Sequence, residues 1–253
     1  MTLDQRHVRA PFDLRREVLE AVAWNPHAIV AQRLGRVSNV LDVACGEGDF
    51  LGRLPVTCER VGVDQDTAAI HAARVRYPSL EWHVAEASGL PLDERRFSTI
   101  TFLHALLHVT DPEQALQACG RSMARGGTLW VTSNHSSHLR EFWQGLQQAT
   151  QAHPEIASLF VHHVQEGALE TRLERTLRRV FEQVHVAPVT TTIWLSRGDA
   201  LNLLESYRQS FACSEAAWLR AKAALNDWLV TTVRGDRWTV TASLALAKVV
   251  RED

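Results

Sequence analysis

A change of character in the stretch Val40-Leu-Asp-Val-Ala-Cys-Gly-Glu-Gly-Asp-Phe50 constrains the fold more than any other part of the chain. The apolar run from Val37 to Val43 predicts a short buried strand. It stops in Ala44-Cys45-Gly46-Glu47-Gly48, where two glycines let the backbone bend sharply and let a ligand approach without meeting a Cβ. Asp49 then stands as N-cap of an expected helix carrying Phe50, Leu51 and Leu54, with unpaired N–H groups aimed at whatever sits above the turn. The next apolar run, Arg60 to Val63, ends in Asp64. A carboxylate about 20 residues beyond a glycine turn suits the two hydroxyls of a ribose. Strand, glycine turn, helix, strand and acid together predict a mononucleotide cradle.

Two ligand classes compete for such a cradle. A dinucleotide site wants a third glycine for close helix–strand packing, and here Gly48 is followed by Asp49, Phe50 and Leu51. Asp42, inside the strand, would repel a pyrophosphate but could hold a cationic ligand directly or through water. In these residues the segment resembles motif I of the class I S-adenosylmethionine-dependent methyltransferases. Asp42, Ala44, Gly46 and Gly48 fill its D-x-G-x-G-x-G frame, with Ala44 in place of the first glycine. The resemblance runs from about Ala31 to Ser133, with a weaker echo toward the C-terminus.

The resemblance implies an α/β fold, a Rossmann-like seven-stranded and mostly parallel sheet with helices on both faces and helical insertions after strands five and six. It implies S-adenosyl-L-methionine as cofactor, bound by Asp42, Ala44, Gly46, Gly48, Asp64, Gln65, Glu86, Ala87, Leu103 and His108. Glu86 takes the place of an acid that receives the adenine amino group, one methylene longer than the usual aspartate, and Ala87 would offer a backbone N–H to the ring. The alternative for Glu86 is a solvated loop carboxylate. His108 matches a histidine frequent in the family's loop after strand four and is expected in the cofactor shell. Ser98 stands where the family usually has aspartate.

Along the chain, residues 10–36 carry apolar side chains at helical spacing, broken at Asn25-Pro26. Residues 1–36 form either a helical lid over the cofactor, as the resemblance implies, or a plain cover for the sheet. Residues 37–134 are the expected cofactor-binding core. Within it a helix from Thr67 to Tyr77 and strands at Leu80–Ala85 and from Phe97 are expected. Asp111-Pro112 starts a helix to Met123, Arg125-Gly126-Gly127 carries its C-cap signal, and Thr128–Thr132 is the fifth strand. Residues 135–253 are expected to add the helical insertions and the last two strands, Val184–Leu195 and Arg237–Val250, to the same domain. In the resembled family such insertions build the acceptor pocket, with Trp143, Phe160, Trp194, Tyr207, Phe211 and Trp218 as its lining; ordinary core packing explains the same spacing.

Methyl transfer from a sulfonium requires alignment more than acid–base chemistry, and a base only where the acceptor nucleophile carries a proton. His104, after strand four, and His135, just beyond strand five, are the catalytic candidates, with His138 behind them and Asn134 as an acceptor partner. The chain has 12 histidines, so a histidine near the cleft by chance is the competing reading. His162-His163 lies in a helical pattern without carboxylates and reads as structural or surface, so no metal site is expected.

No Asn-Pro-Pro-Tyr-type motif follows strand four, where the sequence is His104-Ala-Leu-Leu, and the net charge of −2 gives no field for nucleic acid. A small-molecule acceptor is therefore expected. The N-terminus lacks an apolar signal core and no apolar run approaches the roughly 18 residues of a membrane span. With the unpaired spacing of Cys45, Cys58, Cys119 and Cys213, a cytoplasmic protein with reduced thiols and no membrane contact is expected. The expected function is an enzyme, a methyltransferase acting on a small O-, N- or C-nucleophile. The rivals are a non-catalytic S-adenosylmethionine-binding protein and a nucleotide-dependent oxidoreductase. A homodimer is compatible with the sequence and not required by it.

Overall fold

The computed structural model describes residues 11–92, 96–154, 156–157, 160, 169–235 and 237–251. His162-His163 lies outside them. Helix α1 spans Pro11–Ala21 and α2 spans Pro26–Leu34, so the break falls at Asn25-Pro26 as the spacing predicts. Pro26 opens α2, where its missing N–H has no intrahelical partner to lose.

Strands β1 (Asn39–Val43), β2 (Glu59–Asp64), β3 (Glu81–Val84), β4 (Phe97–Leu103) and β5 (Met123–Asn134) alternate with α3 (Thr67–Arg76) and α4 (Pro112–Ser122). Helices α5 (Arg140–Ala149) and α6 (Leu169–Arg178) follow β5. Strand β6 (Val184–Leu195) precedes α7 (Arg197–Glu205) and α8 (Glu215–Thr232), and β7 (Trp238–Val250) closes the sheet. The strand order is β3-β2-β1-β4-β5-β7-β6. Neighbours β3 through β5 pair in parallel, and β7 runs antiparallel to β5. The strand order reverses between β1 and β4, and open α/β sheets bind their ligands beyond the carboxyl ends at such a point.

The described residues fall into two compact units, one within 26–136, 168–189 and 243–253, the other within 1–25, 137–167 and 190–242. In the first, Leu41, Val43, Val61, Val63, Ile100, Phe102, Leu129 and Val131 are buried in one cluster. Continuous apolar runs suit parallel strands with both faces covered. Asp111 caps α4 by accepting from the Gln114 N–H at 2.9 Å, as its sequence predicts. The C-cap expectation at Gly126 is not met. Helix α4 stops at Ser122, and Gly126, at φ +67°, sits in an irregular stretch between the Phe97–Met123 and Thr99–Thr128 pairs. The helix end is held instead by Arg251, whose Nη1 donates to the carbonyls of Gly120 (3.0 Å) and Met123.

The helix expected after the glycine turn is also absent. Only a 3₁₀ turn at Leu51–Arg53 follows, with no side-chain cap, and Asp49 pairs with Arg76 instead. Pro55 explains this. It disfavours α geometry at Leu54, which leaves Phe50–Leu54 too short a window for a stable helix.

In the second unit Trp143, Phe160, Tyr207, Phe211 and Trp218 are all buried. They pack ring to ring, with centroids 4.9 Å apart for Trp143–Tyr207, 5.0 Å for Phe160–Phe211 and 5.9 Å for Phe211–Trp218. For these side chains core packing is the observed role, while Trp194 is 55% exposed. Among the described residues no helix is long and apolar enough to cross a membrane, and no cluster of His, Cys, Asp or Glu could hold a metal ion.

Candidate cofactor and catalytic site

The loop after β1 takes left-handed positions at three alternate residues, Ala44 (φ +57°), Gly46 (+53°) and Gly48 (+81°). Ala44 therefore adopts the conformation that a glycine would hold more cheaply, at a cost of about 1–2 kcal/mol. The two glycines differ in purpose. A Cβ on Gly46 would meet nothing within 4 Å, so this position faces open space. A Cβ on Gly48 would lie 2.3 Å from the Trp82 ring, and one on Gly62 equally close to the same indole. Of the two glycines expected to admit a ligand, Gly46 is the one that leaves room; Gly48 accommodates Trp82.

Asp64 ends β2. Its Oδ2 accepts from the Gly46 N–H at 2.8 Å and its Oδ1 from the Asp66 N–H at 2.9 Å. The carboxylate expected to receive a ribose is thus oriented by backbone donors, and each oxygen keeps lone-pair capacity for a hydroxyl. Asp66 in turn caps α3, accepting from the Ala68 N–H at 2.8 Å. Gln65 between them is exposed.

Asp42 is 3% exposed and accepts from Thr101 Oγ1 at 2.6 Å. Burial pushes its carboxyl up to about 7; the Thr101 hydrogen bond opposes the shift and the Asp64 charge adds to it. The folded chain thus holds this proton at pH values where an unfolded aspartate has lost it. Because the folded pKa is the higher one, the contribution to stability is complete below about pH 4 and declines as pH rises to about 7. Asp42→Asn, which cannot ionise, is expected to gain stability relative to the parent between pH 5 and pH 8. Thermal melts at the two pH values check this, and an unchanged difference would contradict it.

Beyond β3, Glu86 is exposed and its carboxylate lies 3.5 Å from Ser88 Oγ, while Ala87 packs against the sheet core. Leu103, the last residue of β4, is buried at 8% exposure. His104 follows at φ +56°, its N–H shared between the carbonyl (3.0 Å) and the hydroxyl (3.1 Å) of Thr132. Its Nε2 is buried with no hydrogen-bond partner among the described residues. Burial pulls its pKa down to about 4, helped by His27 and His108, so the ring is neutral near pH 7. His108 ends a 3₁₀ turn, Leu106–His108, and is exposed. A strained non-glycine residue with an orphaned buried nitrogen, at the carboxyl end of a central strand, makes His104 a candidate functional position.

The other catalytic candidates are placed differently. His135 Nε2 lies 3.6 Å from Glu170 Oε1, and Glu170 also accepts from the Ser136 N–H and hydroxyl at 3.1 and 2.7 Å. Asn134 is exposed. His138 belongs to the other unit, its ring 6.0 Å from that of Trp24. Sequence reasoning missed Thr101, which bonds Asp42, Thr132, which latches His104, and His27, whose ring meets Phe50 edge-on at 6.1 Å. Alternation along β4 could have placed Thr101 beside Asp42; nothing local marks His27.

Residues 41–131 match the methyltransferase domain family. The chain is 37% identical over 106 residues to a ubiquinone biosynthesis O-methyltransferase of Alkalilimnicola ehrlichii, covering 39% of this chain and 43% of that one. It is 30% identical over 113 residues to a probable S-adenosylmethionine-dependent methyltransferase of Mycolicibacterium smegmatis, covering 42% and 43%. The chain thus spans less than half the length of these relatives. The solved YcgJ protein of Bacillus subtilis shares the fold over 90% of this chain and 98% of its own, with a TM-score of 0.57 at 15% identity.

Proposed function

We propose that this chain, whose residues 41–131 match the methyltransferase domain family, is a class I S-adenosylmethionine-dependent methyltransferase that transfers a methyl group to a small-molecule acceptor. The observation that carries the reading is the Asp64 carboxylate, held by the Gly46 N–H in the turn after β1, where the Cβ side of Gly46 is open. The residues fit S-adenosylmethionine. Asp64, with Gln65 beside it, receives the ribose hydroxyls; Glu86 receives the adenine amino group; the Ala87 N–H faces the ring. Ala44, Gly46 and Gly48 shape the loop under the amino-acid portion, Asp42 supports its cationic end, and Leu103 and His108 complete the shell.

When bound, the cofactor supplies a methyl group on a sulfonium, a good leaving group. The chain has to hold the acceptor atom about 3 Å from that carbon and in line with the departing sulfur. Where the acceptor carries a proton, His104 Nε2 takes it, because the ring is neutral and that nitrogen is unengaged. His135, engaged with Glu170, is the second candidate. The relative from A. ehrlichii favours a phenolic or quinone-like acceptor, selected by residues outside 41–131. The reading places the protein in the cytoplasm and needs neither metal nor nucleic acid.

The experiment is an assay of S-adenosylhomocysteine formation from S-adenosylmethionine over a panel of phenols, quinols and amines. Acceptor-dependent product supports the reading. Cofactor binding with no product from any acceptor favours a non-catalytic binding protein.

A further inference from the structure

At the amino ends of the same strands the sheet carries a second, differently built depression of about 430 Å³. It is lined by Arg33 and Arg36 from the end of α2 and the loop after it, Ser38 and Ser98 before and within the neighbouring strands, Trp130 on β5 and Lys248 on β7. All of these belong to the sheet-containing unit. Leu103 lies five positions beyond Ser98 along β4, roughly 16 Å of strand, so this depression is remote from the Asp64 site.

Its chemistry is one-sided. Among the described residues no aspartate or glutamate lines it, in a chain whose net charge is −2. Arg33 donates to the Ile29 carbonyl at 3.2 Å and leaves its other guanidinium donors uncommitted, and neither it nor Arg36 nor Lys248 has a carboxylate partner among the described residues. Trp130 and Lys248 are register partners across β5 and β7, and the Lys248 ammonium sits 5.2 Å from the indole centroid. The indole is fixed from below, its Nε1–H donating to Thr128 Oγ1 at 3.1 Å. The Ser98 hydroxyl donates to the Asn39 carbonyl at 3.0 Å and lies 3.1 Å from the Ser38 hydroxyl. Three cations and a half-buried indole around one concavity match a compact anion carrying a flat ring.

We propose that this depression binds a small aromatic or heterocyclic phosphate. Arg33 and Arg36 hold the phosphate oxygens by their guanidinium forks, Lys248 adds a third charge, and Trp130 contacts the ring. Such a ligand would act at a distance from the glycine loop, leaving the Asp64 site free for its own.

The test is a calorimetric titration of the full chain with phenyl phosphate, inorganic phosphate as the ringless control, in the presence of saturating S-adenosylhomocysteine so that the first site is filled. Expected are saturable binding of phenyl phosphate, at least about threefold tighter than inorganic phosphate, and a further loss of at least about tenfold in R33Q/K248Q. Trp130→Phe should weaken phenyl phosphate and leave inorganic phosphate unchanged. Both charged positions are at the surface, and a thermal melt together with unaltered S-adenosylhomocysteine affinity verifies that the variants are folded. No saturable binding, binding unaffected in R33Q/K248Q, or a single-stranded oligonucleotide binding far tighter than phenyl phosphate would overturn the proposal. Loss of S-adenosylhomocysteine binding by the parent chain would instead count against the methyltransferase reading, which this proposal does not need.

Discussion

Replacing Asp64 with alanine is expected to weaken S-adenosylhomocysteine binding by more than tenfold. Two effects add. A hydrogen bond to a charged group contributes about 1.5–3 kcal/mol, and each 1.4 kcal/mol is a factor of ten in affinity. The same carboxylate also holds the Gly46 N–H at 2.8 Å, so its removal frees the loop that must close under the ligand. Asp64→Asn keeps the shape and one acceptor oxygen and should fall between the parent and the alanine variant. Calorimetry reads the effect, and unchanged affinity in Asp64→Ala would remove the ribose assignment.

His104→Ala should act on turnover rather than on cofactor affinity. A positioned general base contributes about 100-fold or more to rate, so kcat should drop by that order when the acceptor carries a proton, with S-adenosylhomocysteine affinity changed by less than about twofold. Alanine meets the same left-handed backbone cost at φ +56°, so the comparison isolates the ring. The pH profile adds a second readout. The ring protonates only near pH 4, so the parent should hold its rate on the acid side down to about pH 5 and lose it below, as the base becomes charged. Equal losses of turnover and cofactor affinity in His104→Ala would place the residue in the cofactor shell.

The parts of this fold that could be read in the sequence are those fixed by local rules. Asp111-Pro112 and Asn25-Pro26 mark helix starts because capping and proline geometry are local, and both fall where expected. The glycine turn and Asp64 were legible because strand, turn and acid lie within one short span. What escaped the sequence depends on distant partners. Arg251 caps α4 from the far end of the chain, so Arg125-Gly126-Gly127 looked like the helix stop when it was part of a strand irregularity. Trp82 lies against both Gly48 and Gly62, which gives Gly48 a packing reason that resembles a ligand reason in sequence. The short 3₁₀ turn after Asp49 follows from a local rule, since Pro55 limits the length available to a helix there. At the site, the buried pairing of Asp42 with Thr101 and the contact of His27 with Phe50 needed the sheet register and the placement of α2.

The central claim, a class I S-adenosylmethionine site at the carboxyl ends of β1, β2 and β4, is tested most directly by titrating the purified chain with S-adenosylhomocysteine and, in parallel, with NAD. The account predicts micromolar binding of S-adenosylhomocysteine and none of NAD, because the turn lacks the third glycine of a dinucleotide site. Binding of NAD, or of neither compound, would contradict it.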